Sequence, residues 1–304
     1  MTDESLAREY YRQGEFKKAE QLFKEVYKKK KVKSIYDKYI VCLIKNQTFK
    51  EAEKVIKGFY KKTENPTVLI DLGKLYVLQE DEKLANKTFN KALIEAEENK
   101  RYLPTIGAKF FKEKKYNLAL SAYSSAKKHN NKAGYSIQIA NIYSYLGDIE
   151  SMYKEIIDLL IEHPSYLQSA KNILRRTIDE NDQNENNKIL KKLLIKSVQK
   201  DNSYETSKTL IWLLMQEKKF NEALQYEISI DKRLLSNKSD IMNLSEIALS
   251  NKEYKVAINA LEYIISNNDV NTYYFEYCQL TILDIKFFIL EENKIKKKGD
   301  IIQV

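Results

Sequence analysis

Apolar positions recur three and four residues apart along almost the whole chain, which is the signature of amphipathic helices. Short polar turns interrupt them at regular intervals. The segment Ile139, Ala140, Tyr143, then Gly147-Asp148-Ile149, then Met152, Ile156, Leu159 and Pro164 reads as two helices joined at Gly147 and stopped by Pro164. Leu72, Gly73, Tyr76, Ala85, Phe89 and Ala92 repeat the pattern, and Asn65 is placed to cap a helix with Pro66 in its first position.

A small residue marks the register. Ala19, Ala52, Ala85, Ala119, Met152, Ala223 and Ala257 are separated by 33, 33, 34 and 33 residues, then 71, then 34. Each follows by three residues a member of the series Phe16, Phe49, Glu82, Tyr116, Ile149, Phe220 and Tyr254. A fixed period of this size marks a solenoid of helix pairs. Short side chains let two helices approach closely, and aromatic residues fill the wider gaps. One pair cannot bury its apolar face alone, so stability comes from stacked neighbours. The expectation is an all-α, right-handed superhelical solenoid of about eight antiparallel helix pairs plus a C-terminal helix. Regular repeats span about 1–164, a degenerate repeat about 165–202, further repeats about 203–270, and a terminal helix about 271–295.

The residues at these registers resemble the tetratricopeptide repeat family. The first unit matches its pattern at Ala7, Tyr10, Gly14, Phe16, Ala19 and Phe23. The fourth matches at Gly107, Phe110, Tyr116, Ala119, Tyr123 and Ala126, and the fifth at Ile139, Ala140, Tyr143, Gly147, Ile149 and Pro164. Met152 and Leu159 depart from the Ala usual there. The 33–34 spacing and the Gly-aromatic turn favour this family over the RNA-binding pentatricopeptide repeats, usually 35 residues long. The Lys/Asn/Ile/Tyr-rich wording is similar to tetratricopeptide proteins of the Bacteroidetes, many of them exported. The resemblance implies a non-catalytic scaffold that binds a protein or peptide in a concave groove lined by the first helix of each pair. Its register places Arg8, Tyr11, Val41, Ile44, Lys74, Val77, Phe111, Asn141, Trp212 and Met215 there. For Trp212 a core role is an equal alternative. The positions of the family's carboxylate clamp hold Glu4, Arg8, Lys38, Thr67 and Asp71, two of them acidic, so no such clamp is expected.

Two stretches break the period. The gap of 71 contains Asp179 to Asn187, a run of acids and amides without an apolar residue or a glycine. A calcium loop needs a Gly at its sharp turn, so this run reads as a solvated insertion between helices near 165–178 and 186–200. Residues 272–290 are apolar on almost every side, as a buried helix would be. They read as the first helix of a ninth unit, in a chain that continues further or dimerises through this helix.

Composition narrows the function. With 7 Gly and 3 Pro in 304 residues the chain suits an all-helical fold. The net charge of +9 admits nucleic acid, but 43 acidic residues interleave with 52 basic ones, as on ordinary helical surfaces. The densest run, Lys28 to Lys31 and Lys33, lies at a helix end, where cations complement the macrodipole. Cys42 and Cys278 sit in apolar stretches, and His129 and His163 stand alone, so no metal or cofactor is expected. No phosphate-binding loop, nucleophile elbow or membrane span is visible. The reading is a cytoplasmic protein, or an exported one if a signal preceded Met1.

Overall fold

The computed structural model describes residues 2–201, 203–234, 238–267 and 273–302, with side chains of the last helix described from 275 to 291. It is all-α, a helical repeat. The described residues form two compact units, divided after Asp148.

The first unit holds nine helices: α1 (Asp3–Arg12), α2 (Phe16–Lys29), α3 (Lys33–Lys45), α4 (Phe49–Thr63), α5 (Thr67–Leu78), α6 (Glu82–Glu98), α7 (Leu103–Lys112), α8 (Tyr116–His129) and α9 (Ala133–Leu146). Each packs on the next, so the core runs continuously along the unit. Asn65 Oδ1 accepts the Thr67 N–H at 3.0 Å, and α5 begins directly after Pro66.

The second unit holds α10 (Ile149–Glu162), α11 (Leu167–Leu174), α12 (Glu185–Asp201), α13 (Tyr204–Gln216), α14 (Phe220–Leu234), α15 (Ser239–Ser250), α16 (Tyr254–Ser266) and α17 (Tyr273–Ile302). Both α11 and α12 pack on α10 and α13, and α17 packs on α16. The irregular repeat thus has two helices, but the first is short and follows a 3-10 turn at Pro164–Tyr166.

The small-residue register has a direct structural counterpart. Ala19, Ala52, Ala119, Met152, Ala223 and Ala257 are fully buried, and Ala85 is 1% exposed. Five residues before each of the seven lies a left-handed residue: Gly14, Gln47, Glu80, Lys114, Gly147, Lys218 and Lys252. The next residue donates its N–H five positions back, as from Glu15 to Tyr10, Asp81 to Tyr76 and Lys219 to Leu214. This closure satisfies helix-end carbonyls and turns the chain. Only two of the seven positions are glycine, so the others hold a side chain where it costs about 1–3 kcal/mol.

Pairing within a unit depends on short side chains. A methyl group at Gly73 would lie 2.3 Å from the Phe89 ring, and one at Gly107 would lie 2.8 Å from the Tyr123 ring. In both cases the ring belongs to the second helix, sixteen residues on.

The polar segment after α11 is exposed at Asp179, Glu180, Asn181, Gln183 and Glu185, as a solvated insertion is, but it is anchored at its end. The Asn187 side chain is fully buried. Its Oδ1 accepts the Asp179 N–H at 3.0 Å, and its Nδ2 donates to the Asp179 carbonyl at 2.7 Å and to Glu217 Oε1 at 3.2 Å. Glu217 also binds Lys191, while Lys219 and Lys218 hold Asp182 and Glu180. An amide can meet a backbone N–H and C=O together, which is how this segment closes without an apolar residue.

The terminal helix also differs from expectation. Among its described side chains, those buried are Cys278, Ile282 and Ile285, on one face. The opposite face is exposed at Leu280, Leu283, Phe287 and Leu290, and the main packing partner of α17 among the described residues is α16.

Candidate functional site

Three first helices of the first unit, α3, α5 and α7, line a cavity of about 330 Å³. Residues spaced three and four apart on α3 supply Lys33, Tyr36, Asp37, Ile40, Val41 and Ile44; α5 supplies Ile70, Asp71 and Lys74; α7 and the residue that caps its end supply Lys109, Lys112 and Glu113. That spacing puts each set on one helical face. Ile40, Val41, Ile44 and Ile70 make an apolar floor.

The polar residues are ordered across helices. The Lys109 ammonium donates to Asp71 Oδ1 and to the Thr67 carbonyl, each at 3.1 Å. The Tyr36 hydroxyl donates to Asp71 Oδ2 at 3.2 Å. Burial, reinforced by the Asp71 charge, pushes the Tyr36 phenol well up, so it remains a donor. Lys74 pairs with Glu113 at 2.7 Å, and Lys33 pairs with Asp37. Three of the four cations are therefore neutralised locally; Lys112 has no ion pair among the described residues. A smaller cavity of about 150 Å³ adjoins this one, lined by Lys74, Val77, Leu78, Phe89, Glu113 and Lys115. Val77 and Leu78 are exposed at 39% and 49%, a hydrophobic lip beside the charged pair.

Of the residues chosen from sequence, Val41, Ile44 and Lys74 meet in the first cavity, and Val77 lines the second. Arg8 is on α1, paired with Glu4 at 3.0 Å. Tyr11 is half-buried, its ring edge-on to Phe16 and Phe23 and under the Lys38 ammonium at 5.1 Å. Phe111 packs edge-on against Tyr116 and Tyr145. Asn141 is half-buried on α9. Trp212 and Met215 belong to the second unit. Trp212 is 7% exposed, with the Arg175 guanidinium 6.0 Å from its ring, which gives it the core role. Met215 is half-buried.

Tyr36, Lys109, Lys112 and Glu113 were outside the sequence-based set. Asp71 lies 35 residues from Tyr36 and 38 from Lys109, so no local spacing links them. The clamp positions are engaged elsewhere: Glu4 holds Arg8 and Lys30, and Asp71 holds Lys109.

Most of the basic run is paired as well. Lys28 binds Glu25, Lys29 lies 3.8 Å from Asp3, and Lys30 binds Glu4. Burial pushes the Cys42 thiol up to about 12, which keeps it protonated and unreactive at neutral pH. Among the described residues, no group of three His, Cys, Asp or Glu side chains could hold a metal ion. Nor is any helix there long and apolar enough to cross a membrane.

No family model and no curated protein matches this sequence. Solved structures do show similarity. The C-terminal part of a TPR repeat-containing protein from Cytophaga hutchinsonii is 12% identical, over 90% of this chain and 98% of that one, with a TM-score of 0.35. A tetratricopeptide repeat protein from Parabacteroides merdae is 14% identical, over 91% and 96%, with a TM-score of 0.33. A TPR protein from Thermus thermophilus is 17% identical, over 57% and 99%, also at 0.33. These are tetratricopeptide repeat proteins, the family whose repeat pattern the sequence resembles. At such TM-scores the repeat reading rests on the periodic turns and buried small residues of the chain itself.

Proposed function

We propose that this chain is a non-catalytic scaffold for protein–protein interaction, and that the groove on α3, α5 and α7 takes a peptide segment with an apolar anchor. The observation that carries this is the floor of Ile40, Val41, Ile44 and Ile70 under a rim whose charges are largely paired. An apolar side chain gains from the floor, at about 25 cal/mol per Å² buried. The rim pairs hold their lysines in place and leave little net charge to attract a polyanion. The same balance, with most of the basic run engaged by Glu25, Asp3 and Glu4, argues against nucleic acid as the partner.

Selection of displayed peptides on the purified chain tests the reading. Selected peptides should share a bulky apolar residue, and Val41→Glu should weaken them at least tenfold, since it sets a charge in the floor. Their affinity should change little with salt. A nucleic-acid partner making six to ten phosphate contacts would lose about 10³–10⁵ in affinity between 50 and 200 mM salt. Selected peptides that bind Val41→Glu and Lys74→Glu as tightly as the parent would show that the groove is not the site.

A further inference from the structure

The largest exposed apolar surface among the described residues lies on α17, opposite the face that α16 covers. Leu280, Leu283, Phe287 and Leu290 are exposed at 63, 61, 64 and 60%. Their spacing of three, four and three residues sets them in one seam. Cys278, Ile282 and Ile285, buried on α16, lie on the other side of the helix. Alternating steps of three and four are the a and d positions of a two-stranded coiled coil, with Leu280 and Phe287 at a and Leu283 and Leu290 at d.

We infer that this seam is a homodimer interface, in which α17 packs parallel to α17 of a second copy of the chain. Area is the first argument. Four apolar side chains at about three-fifths exposure, with the stems of their flanking neighbours, would remove on the order of 600 Å² per copy, or roughly 1,200 Å² in all, enough for a specific interface. Spacing is the second: one regular seam matches itself, as a two-fold interface requires.

Charge is the third argument, and it also selects the orientation. Flanking the seam are Gln279 and Lys286 at g positions and Asp284 and Glu291 at e positions. In a parallel pair each g residue meets the e residue five places further along the other helix. Lys286 then faces Glu291 of the partner subunit, and Gln279 faces Asp284 of the partner subunit, each twice by symmetry. In an antiparallel pair centred on the seam, Asp284 would face its own copy and so would Lys286, both unfavourable. The seam thus complements itself in shape and charge in one orientation.

Light scattering on the purified chain at tens of micromolar should give twice the mass of one chain. Leu283→Glu should give the single mass, with an unchanged far-ultraviolet circular dichroism spectrum. Phe288→Glu is the control: Phe288 is 63% exposed on the same helix but lies outside the seam, so that variant should remain dimeric. Should Leu283→Glu disturb the fold, Phe287→Ser gives the same reading. Under mild oxidation Leu283→Cys should cross-link to its own copy, while the parent, whose cysteines are buried, should not. A monomeric parent, a dimer that survives both seam variants, or a dimer broken by Phe288→Glu alone would overturn the inference. Absence of the Leu283→Cys cross-link in a dimer would overturn the parallel arrangement.

Discussion

Replacing Gly73 by alanine sets a methyl group 2.3 Å from Cε1 and 2.6 Å from Cδ1 of Phe89. Ordinary contact begins near 3.4 Å, so the ring would have to retreat by about 1.1 Å. It has little room to do so: Phe89 is 1% exposed, and the Phe110 ring stands edge-on to it with centroids 5.8 Å apart. Overpacking of this kind costs about 1–3 kcal/mol. Against it stands the helix propensity of alanine over glycine, about 1 kcal/mol. Gly58 isolates the two effects, because it is an exposed helical glycine with nothing within 4 Å of an added methyl group. Gly58→Ala should stabilise by up to about 1 kcal/mol, while Gly73→Ala should fall about 1–3 kcal/mol below it. Urea unfolding followed by circular dichroism reads the gap as a midpoint difference on the order of 1 M. Adding Phe89→Leu to Gly73→Ala should recover part of the loss, since it removes the atoms that the methyl group meets. Equal midpoints for the two alanine variants would refute the close approach of α5 and α6.

Three other perturbations follow from single residues. Lys114→Gly relieves a left-handed side chain at φ 56° in the α7–α8 turn and should raise the unfolding midpoint, whereas Lys115→Gly, one residue on and not left-handed, should lower it. Asn187→Ala removes both hydrogen bonds to the Asp179 backbone and one to buried Glu217; it should cost about 2–3 kcal/mol and raise amide hydrogen exchange in the segment between α11 and α12. Burial lowers the proton affinity of Lys171, with the nearby Lys208 charge adding to it. The folded state therefore binds this proton less tightly than the unfolded chain. The resulting penalty is present at neutral pH and fades as pH rises past the folded value toward that of an ordinary lysine. Lys171→Met should accordingly stabilise at pH 7, by a margin that shrinks in alkaline solution; a margin independent of pH would assign the gain to packing alone.

The groove was partly legible before the structure. Val41, Ile44, Lys74 and Val77 follow from register, because a helix face is a local, periodic property. The rim was not, because Tyr36, Asp71 and Lys109 meet across three helices and carry no mutual spacing. The turns divide likewise. Gly14 and Gly147 announce a left-handed residue, whereas Gln47, Glu80, Lys114, Lys218 and Lys252 do not, since hydrogen bonding of the closed helix end imposes the conformation on them.

By itself the amino-acid order determined the helices, their period and the seven buried anchors. Each of these depends on which residues share a face within some thirty positions of chain. Tertiary structure decided what each apolar face meets. Trp212 and the Leu280–Leu290 seam both belong to apolar stretches, yet one is 7% exposed and the other about three-fifths exposed. Periodicity shows where a helix is apolar. Whether that surface becomes core or remains open depends on the neighbouring helix packed against it.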